Sequence, residues 1–248
     1  MASVNVVPSQ PQSQPAFRAS DYSNDGKKHL LLAASGSVAT IKIPNIVQAL
    51  SHHQNLSIRL IFTKSATAFL AGQSHEQPTL SSLTEIENVD GIFLDEDEWT
   101  HPWRRGNPIL HIELRRWAHI LVIAPLSANT LAKITGGFSD NLLTSVVRAW
   151  DTTGLVEASD FRHVMRKRIV VAPAMNTAMW RHPVTTKQIQ MLEEEWGVKE
   201  DVEAGVEGHG WFEVLRPQEK ELACGDVGDG AMKDWKEILA VIEKRLEL

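Results

Sequence analysis

An alternation constrains this chain more than any other feature. From Lys27 onward, short runs dense in Leu, Ile and Val give way to longer amphipathic stretches, the pattern of βαβ units winding a parallel sheet. His29 to Ala34, Ser57 to Phe62, His119 to Ala124 and Arg168 to Ala172 read as strands, and their nearly continuous apolar content suits strands buried on both faces. The periodicity places helices over Val38 to Ser51, Leu126 to Ile134, Asn141 to Trp150 and Thr185 to Trp196, and a last amphipathic helix over Trp235 to Leu246. The expected fold class is α/β, a doubly wound parallel sheet. With 248 residues, 43% of them hydrophobic, length alone leaves one large or two small domains open, and a single domain over residues 27–248 is the simpler reading.

The first 26 residues are rich in Ser, Gln, Pro and Asn and carry too few apolar side chains to offset the entropy of ordering them, so they read as a disordered tail. Gly72 to Asn107 and the Gly- and Glu-rich stretch Glu200 to Glu221 interrupt the pattern, as functional flaps or flexible insertions do. The net charge of −6 gives no general basic surface, which disfavours a nucleic-acid partner bound through phosphate attraction. No apolar run approaches the roughly 20 residues needed to span a bilayer, and the N-terminus lacks the charged-then-apolar order of a secretory signal. A single cysteine, Cys224, rules out an internal disulfide framework. A cytoplasmic protein with no membrane partner is expected.

Ligands of doubly wound sheets bind beyond the carboxyl ends of the strands, so the loops Ser35 to Ser37, Thr63 to Ser65, Pro125 to Asn129 and Pro173 to Asn176 are expected to converge. Gly36 and Ser37 end a strand in small residues just before a helix, leaving backbone N–H groups at a helix N-terminus that attracts phosphate. A Ser-Gly turn alone is more often only a turn, but Thr63 to Thr67 repeats the arrangement. The dinucleotide fingerprint of three spaced glycines is absent, which favours a mononucleotide. Asn129 and Thr130 can hydrogen-bond a heteroaromatic ring or a ribityl chain, while Ser127 caps the same helix. Pro173 to Trp180 ends a strand and delivers Asn176 followed by Met179 and Trp180, which also fits a capped helix with its large residues in the core.

His111, Leu114 and Arg115 share one helical face, bringing an imidazole and a guanidinium toward one anionic ligand, or else decorating a solvated helix. Leu114 and Trp117 give that helix an apolar side suited to a neighbouring subunit or to its own core. Ala223 to Met232 holds three glycines and two aspartates, which marks a flexible loop that presents Cys224.

In this order, Ala34 to Ala39, Asp95 to Trp99, His111 to Trp117, Pro125 to Thr130, Asp140 to Leu143, Pro173 to Trp180 and Ala223 to Met232 resemble the homo-oligomeric flavin-containing cysteine decarboxylases. Within that family the resemblance is to phosphopantothenoylcysteine decarboxylases and the halotolerance-type flavoproteins. It runs from about Lys27 to the last helix and departs over Val156 to Lys167 and Asp201 to Lys220, marking insertions near 156–167 and 201–220. It implies a flavodoxin-like fold, noncovalent FMN, and a homotrimer that can also mix with paralogous chains. It also implies that 4'-phosphopantothenoylcysteine is decarboxylated to 4'-phosphopantetheine on the way to coenzyme A. The implied catalytic residues are His111, Asn176 as carboxylate binder, and Cys224 as proton donor, with Arg115, Asn176, Met179 and Ala223 at the substrate. The implied flavin contacts are Gly36, Ser37, Val38, Thr63, Ser65, Phe69, Ser127, Ala128, Asn129, Thr130, Ala174 and Met175. No metal is expected.

A cysteinyl carboxylate has no electron sink for the electrons left by departing CO2. Oxidation to the thioaldehyde by hydride transfer to flavin creates one, and the later enethiolate needs an acid and a returned hydride, tasks that suit Cys224 and the reduced cofactor. The alternative is a regulatory subunit that inhibits a protein phosphatase; such chains can lack the histidine or the cysteine, and this one keeps both. An electron carrier would leave Asn176 and Cys224 without a task.

Overall fold

The computed structural model describes residues 17–100, 102–156, 166–201, 206–207, 209–221 and 227–248. Six strands form one all-parallel sheet: β1 (Lys28–Ala34), β2 (Leu56–Phe62), β3 (Val89–Phe93), β4 (Ile120–Leu126), β5 (Arg168–Pro173) and β6 (Phe212–Val214). Their order is β6-β5-β4-β1-β2-β3, the doubly wound order in which the chain reverses direction between β1 and β4.

Alternate residues of the central strands feed two separate cores, which explains their unbroken apolar runs. Leu30, Leu32 and Ala34 of β1 point to one face with Ile58, Leu60 and Phe62 of β2, under helices α1 (Ile43–Leu50) and, at the end of the chain, Trp235–Leu246. Leu31 and Ala33 point to the other with Leu121, Ile123, Ile169 and Val171. That face is covered by α2 (Leu110–Trp117), α3 (Ala128–Gly136), α4 (Leu142–Arg148) and α5 (Pro183–Gln190); the final helix, Trp235–Leu246, is α6. Fully burying each such Leu or Ile contributes about 1.5–3 kcal/mol, so a one-residue slip of β1 against β4 has no compensating arrangement. Among the described residues no helix is long and apolar enough to cross a membrane.

Several boundaries differ from the sequence expectation. Val38 to Ser51 is a 3-10 turn (Val38–Lys42) followed by α1, because Pro44, lacking an N–H, belongs in a helix's first turn and starts a new one there. Thr185 to Trp196 divides into α5 and a π turn over Met191–Glu195. β3 lies inside the stretch Gly72 to Asn107 and β6 inside Glu200 to Glu221, so both supposed interruptions supply edge strands. Phe17 to Gly26, expected within the disordered tail, contains a short helix (Ala19–Tyr22), and Phe17 and Tyr22 pack against the second core. Residues 1–16 and most of 156–167 lie outside the described residues.

Candidate active site

The cleft is built where β1 and β4 diverge. Ser35, fully buried, donates its hydroxyl to the Pro125 carbonyl (3.0 Å) and accepts the Ser127 N–H (2.8 Å), stitching the two loops across the reversal point. The next residue must be glycine: a Cβ on Gly36 would lie 2.4 Å from the Ser65 Oγ and 2.7 Å from its Cβ. The loops after β1 and β2 therefore touch at this position, with Thr63 N–H donating to the Ala34 carbonyl (3.1 Å). The N–H groups of Gly36, Ser37 and Val38 find no partner among the described residues. Converging backbone donors of this kind favour an anion. Across the cleft, the Ser127 hydroxyl caps α3 by accepting the Thr130 N–H (3.3 Å).

The loop after β5 forms the third wall. Ala174 N–H donates to the Leu126 carbonyl (2.9 Å), Met175 N–H to the Gly230 carbonyl (3.0 Å), and the Asn176 Oδ1 accepts the Met179 N–H (2.8 Å) as the cap of the short helix Thr177–Trp180. That cap commits the amide oxygen to the protein and leaves the Nδ2 donors for a ligand. An antiparallel hairpin, Gln218–Glu221 with Val227–Ala231, overhangs this wall. Its second arm presses so closely that a Cβ on Gly230 would lie 2.3 Å from the Met175 carbonyl oxygen, and one on Gly228 would overlap the Thr177 hydroxyl. These two glycines, read from sequence as part of a flexible loop, stand in a strand that lies against the backbone of the Asn176 turn.

The resulting cleft has a volume of about 530 Å³ and an apolar floor, within the range of small-ligand sites. Of the expected residues, it is lined by Gly36, Ser37, Val38, Phe69, Ser127, Ala128, Asn129, Ala174, Met175, Asn176 and Met179. Thr63 and Ser65 stand behind Gly36 rather than in the lining, and buried Thr130 bonds Ser127. Sequence reading missed the contribution of Lys42 and of Gln218, Met232, Lys233 and Trp235, which the hairpin and α6 carry in from far along the chain. Lys42 gives the cleft positive charge, while Lys233 is paired with Glu237 (3.0 Å) and Asp234 is engaged as the cap of α6, accepting the Lys236 N–H (2.9 Å). Ala223 and Cys224 lie outside the described residues, between the two arms of the hairpin.

His111 is elsewhere. It sits in the first turn of α2, and its Nδ1 lies 2.8 Å from the Glu98 Oε1 while its backbone N–H donates to the Glu98 Oε2 (3.2 Å). Neither His111 nor Arg115 lines the cleft. Arg115 is buried on the inward face of α2 beside Leu114. The expectation that Leu114 and Trp117 present an apolar face to a neighbour is corrected: both are buried in the chain's own second core. Trp117 stacks on His29 (4.6 Å between ring centroids) and contacts Phe17 (6.4 Å). Phe93, Asp97, Glu98, Trp99, Trp103 and Leu110 border a second, smaller hollow with Phe17, where Trp99 and Trp103 are exposed. At the opposite, amino-terminal end of the sheet, His52, His53 and Glu243 bring three ligand-type atoms within 4.8 Å, far from either hollow in the order of elements.

A doubly wound sheet with small-residue loops, free backbone donors and a cleft at its reversal point defines a mononucleotide-binding protein. The chain matches the flavoprotein family model over residues 18–247 and belongs to that family, among the relatives of phosphopantothenoylcysteine decarboxylases. A probable phosphopantothenoylcysteine decarboxylase of Arabidopsis thaliana is 42% identical over 208 residues, 84% of this chain and 83% of that protein. Among solved structures, a mutant PPC decarboxylase complexed with pantothenoylaminoethenethiol is 39% identical, with a TM-score of 0.65 over 90% of this chain and 100% of that one. The FMN-binding protein AtHal3 is also 39% identical, with a TM-score of 0.66 over 89% of this chain and 97% of that one.

Proposed function

We propose that this protein is an FMN-dependent phosphopantothenoylcysteine decarboxylase, a carboxy-lyase of coenzyme A biosynthesis. The observation that carries the reading is the cleft that joins the Gly36 and Ser127 loops to Asn176, in a chain similar over most of its length to proteins of that name. The residues present fit FMN: the close approach at Gly36, the unpartnered N–H groups of Gly36 to Val38 and Lys42 suit a phosphate, and the Ala174 to Met175 floor suits a flat ring. Bound FMN supplies reversible hydride acceptance, which gives the substrate the electron sink it lacks.

The chain's own residues then bind and protonate. Asn176, with its Oδ1 fixed by the Met179 N–H, turns two amide donors to the substrate carboxylate and holds it without the ground-state charge stabilisation of an arginine. Cys224, carried by the hairpin whose base touches the Asn176 turn, delivers a proton after CO2 has left. His111 completes the site from a neighbouring subunit of a cytoplasmic homotrimer, a reading supported by its distance in the fold from the cleft and by the exposed Trp99 and Trp103 beside it. The test is a visible spectrum of the purified protein together with CO2 release from phosphopantothenoylcysteine. A yellow protein releasing one CO2 per phosphopantetheine formed is expected; an FMN-loaded protein that releases none overturns the reading.

A further inference from the structure

We propose that Glu98 is the positioning residue of His111, fixing its imidazole as the Nδ1–H tautomer and aiming Nε2 at the substrate. The inference rests on the placement of His111 in the machinery above. The Glu98 side chain is 5% exposed and spends both oxygens on one residue: Oε1 on the His111 ring (2.8 Å) and Oε2 on its backbone N–H (3.2 Å). An ionised carboxylate has no proton to donate, so the ring atom that faces it must carry one. Nε2 makes no bond among the described residues, and the side chain is 22% exposed. It is the nitrogen left to meet a ligand. Two-point attachment also fixes the ring plane, since the backbone donor prevents the carboxylate from following a rotating imidazole.

The turn that carries Glu98 is itself anchored. In Asp95-Glu96-Asp97-Glu98-Trp99, the Asp97 carboxylate accepts the Leu94 N–H (2.7 Å) and closes its own turn. Asp95 accepts the Lys64 N–H (3.4 Å) through Oδ2 and the Leu142 N–H (3.2 Å) through Oδ1, tying the turn to the loop after β2 and to the first turn of α4. The acidic run therefore divides its labour: two carboxylates hold the turn and a third holds the histidine. Sitting at the N-terminus of α2, the Glu98 charge is also favoured by the helix dipole.

A carboxylate that merely staples α2 predicts the same contacts, so the test must read the ring. Glu98→Gln keeps the shape but offers one acceptor for two N–H donors. In the FMN-bound protein, ¹⁵N spectra of the neutral His111 ring, assigned with His111→Gln, are expected to show a proton on Nδ1. In Glu98→Gln that population falls, and kcat for CO2 release drops about 10- to 100-fold with KM and flavin content little changed. Glu98→Asp, which keeps the charge at shorter reach, is expected to retain more of both. An unchanged tautomer in both variants, or a kcat within about twofold of the parent protein, overturns the proposal. The ring spectra need no turnover, so a parent protein that released no CO2 would sink the proposed reaction while leaving the Glu98 tautomer decided on its own evidence.

Discussion

The two sides of the sheet are built on different principles. On the β1-β4-β5 side close backbone packing does the work: small residues bring three loops and a hairpin into contact, tied within one chain by N–H to carbonyl bonds and by the short side chains of Ser35, Ser127 and Asn176. On the β3 side, side chains do the work: Glu98 holds His111, and Arg59, 5% exposed, lies 4.3 Å from the Phe17 ring centroid, 4.7 Å from Tyr22 and 4.9 Å from Trp117. The first side encloses a cleft and the second leaves two tryptophans in the open. A cofactor cradle needs a close, rigid backbone, whereas a half-site completed by another chain needs a functional group displayed at an edge.

The hardest test of this division mixes chains. His111→Ala and Cys224→Ala are each expected to form no phosphopantetheine, the second because it stalls after CO2 has left. If the histidine side of one subunit faces the cleft of the next, random co-assembly at equal amounts leaves about a quarter of the interfaces with both residues intact. Co-expression should then restore about that fraction of the parent activity, read as phosphopantetheine formed by the purified mixed assembly. Demonstrated co-assembly with no recovery would place both half-sites inside one chain and break the comparison outright.

A smaller effect, confined to the cradle, is expected at Gly36. Its added Cβ would meet Ser65 at 2.4 Å and 2.7 Å, so Gly36→Ala forces the loops after β1 and β2 apart, at a cost of about 1–3 kcal/mol. FMN affinity should weaken about 10- to 100-fold while the thermal unfolding of the apoprotein moves by only a few degrees. Adding Ser65→Gly removes both clashing atoms, so the double variant should bind FMN more tightly than Gly36→Ala alone. Flavin fluorescence titration measures this, and the absence of any rescue would show that the glycine serves the ligand directly and not the contact between loops.

The difference between the two sides also governs what the sequence reveals. The buried strands β1, β2, β4 and β5 announce themselves because both faces are apolar, and the expected runs fall within one or two residues of them. β3, Val-Asp-Gly-Ile-Phe, and the three-residue β6 are edge strands with partly exposed residues, so neither carries a continuous apolar signal. The cradle was legible because close backbone approach requires small residues locally in sequence. Lys42, Met232 and Trp235 were not, because their position depends on how the hairpin and α6 return to the cleft. Gly228 and Gly230 did carry a signal, alternate glycines at the spacing of one strand face, but composition alone reads such a stretch as loop. The burial of Leu114 and Trp117 was undecidable from an apolar helical face, which looks the same whether the partner is the helix's own sheet or another chain.

The smallest expected effect separates the two sides by pH. At the β6 edge, burial pushes the pKa of Glu213 up, but two bonds from Arg245 (2.9 Å each) and one from Arg168 (3.0 Å) outweigh it and hold the carboxyl below its ordinary value. A carboxylate with a depressed folded-state pKa contributes stability that is present above its unfolded pKa and lost as pH falls through the folded one. The Glu213 contribution is therefore complete at pH 7 and fades below the ordinary carboxylate range of about 4. Glu213→Gln should cost about 1 kcal/mol at pH 7 and progressively less toward pH 3. At the other edge, the box around Arg59 contains Phe17, Tyr22, Phe93 and Trp117, none of which titrates in that range. Phe17→Ala, which removes one wall, should cost a similar 1–2 kcal/mol, and that cost should be the same at pH 7 and pH 3. Denaturant unfolding of both variants at the two pH values measures the contrast. A Glu213→Gln penalty that does not shrink on acidification would mean the clamp works by packing rather than charge, and a Phe17→Ala penalty that does shrink would mean that the docking of Phe17 depends on a carboxylate such as Glu113, which accepts the Ala19 N–H two residues along (2.8 Å).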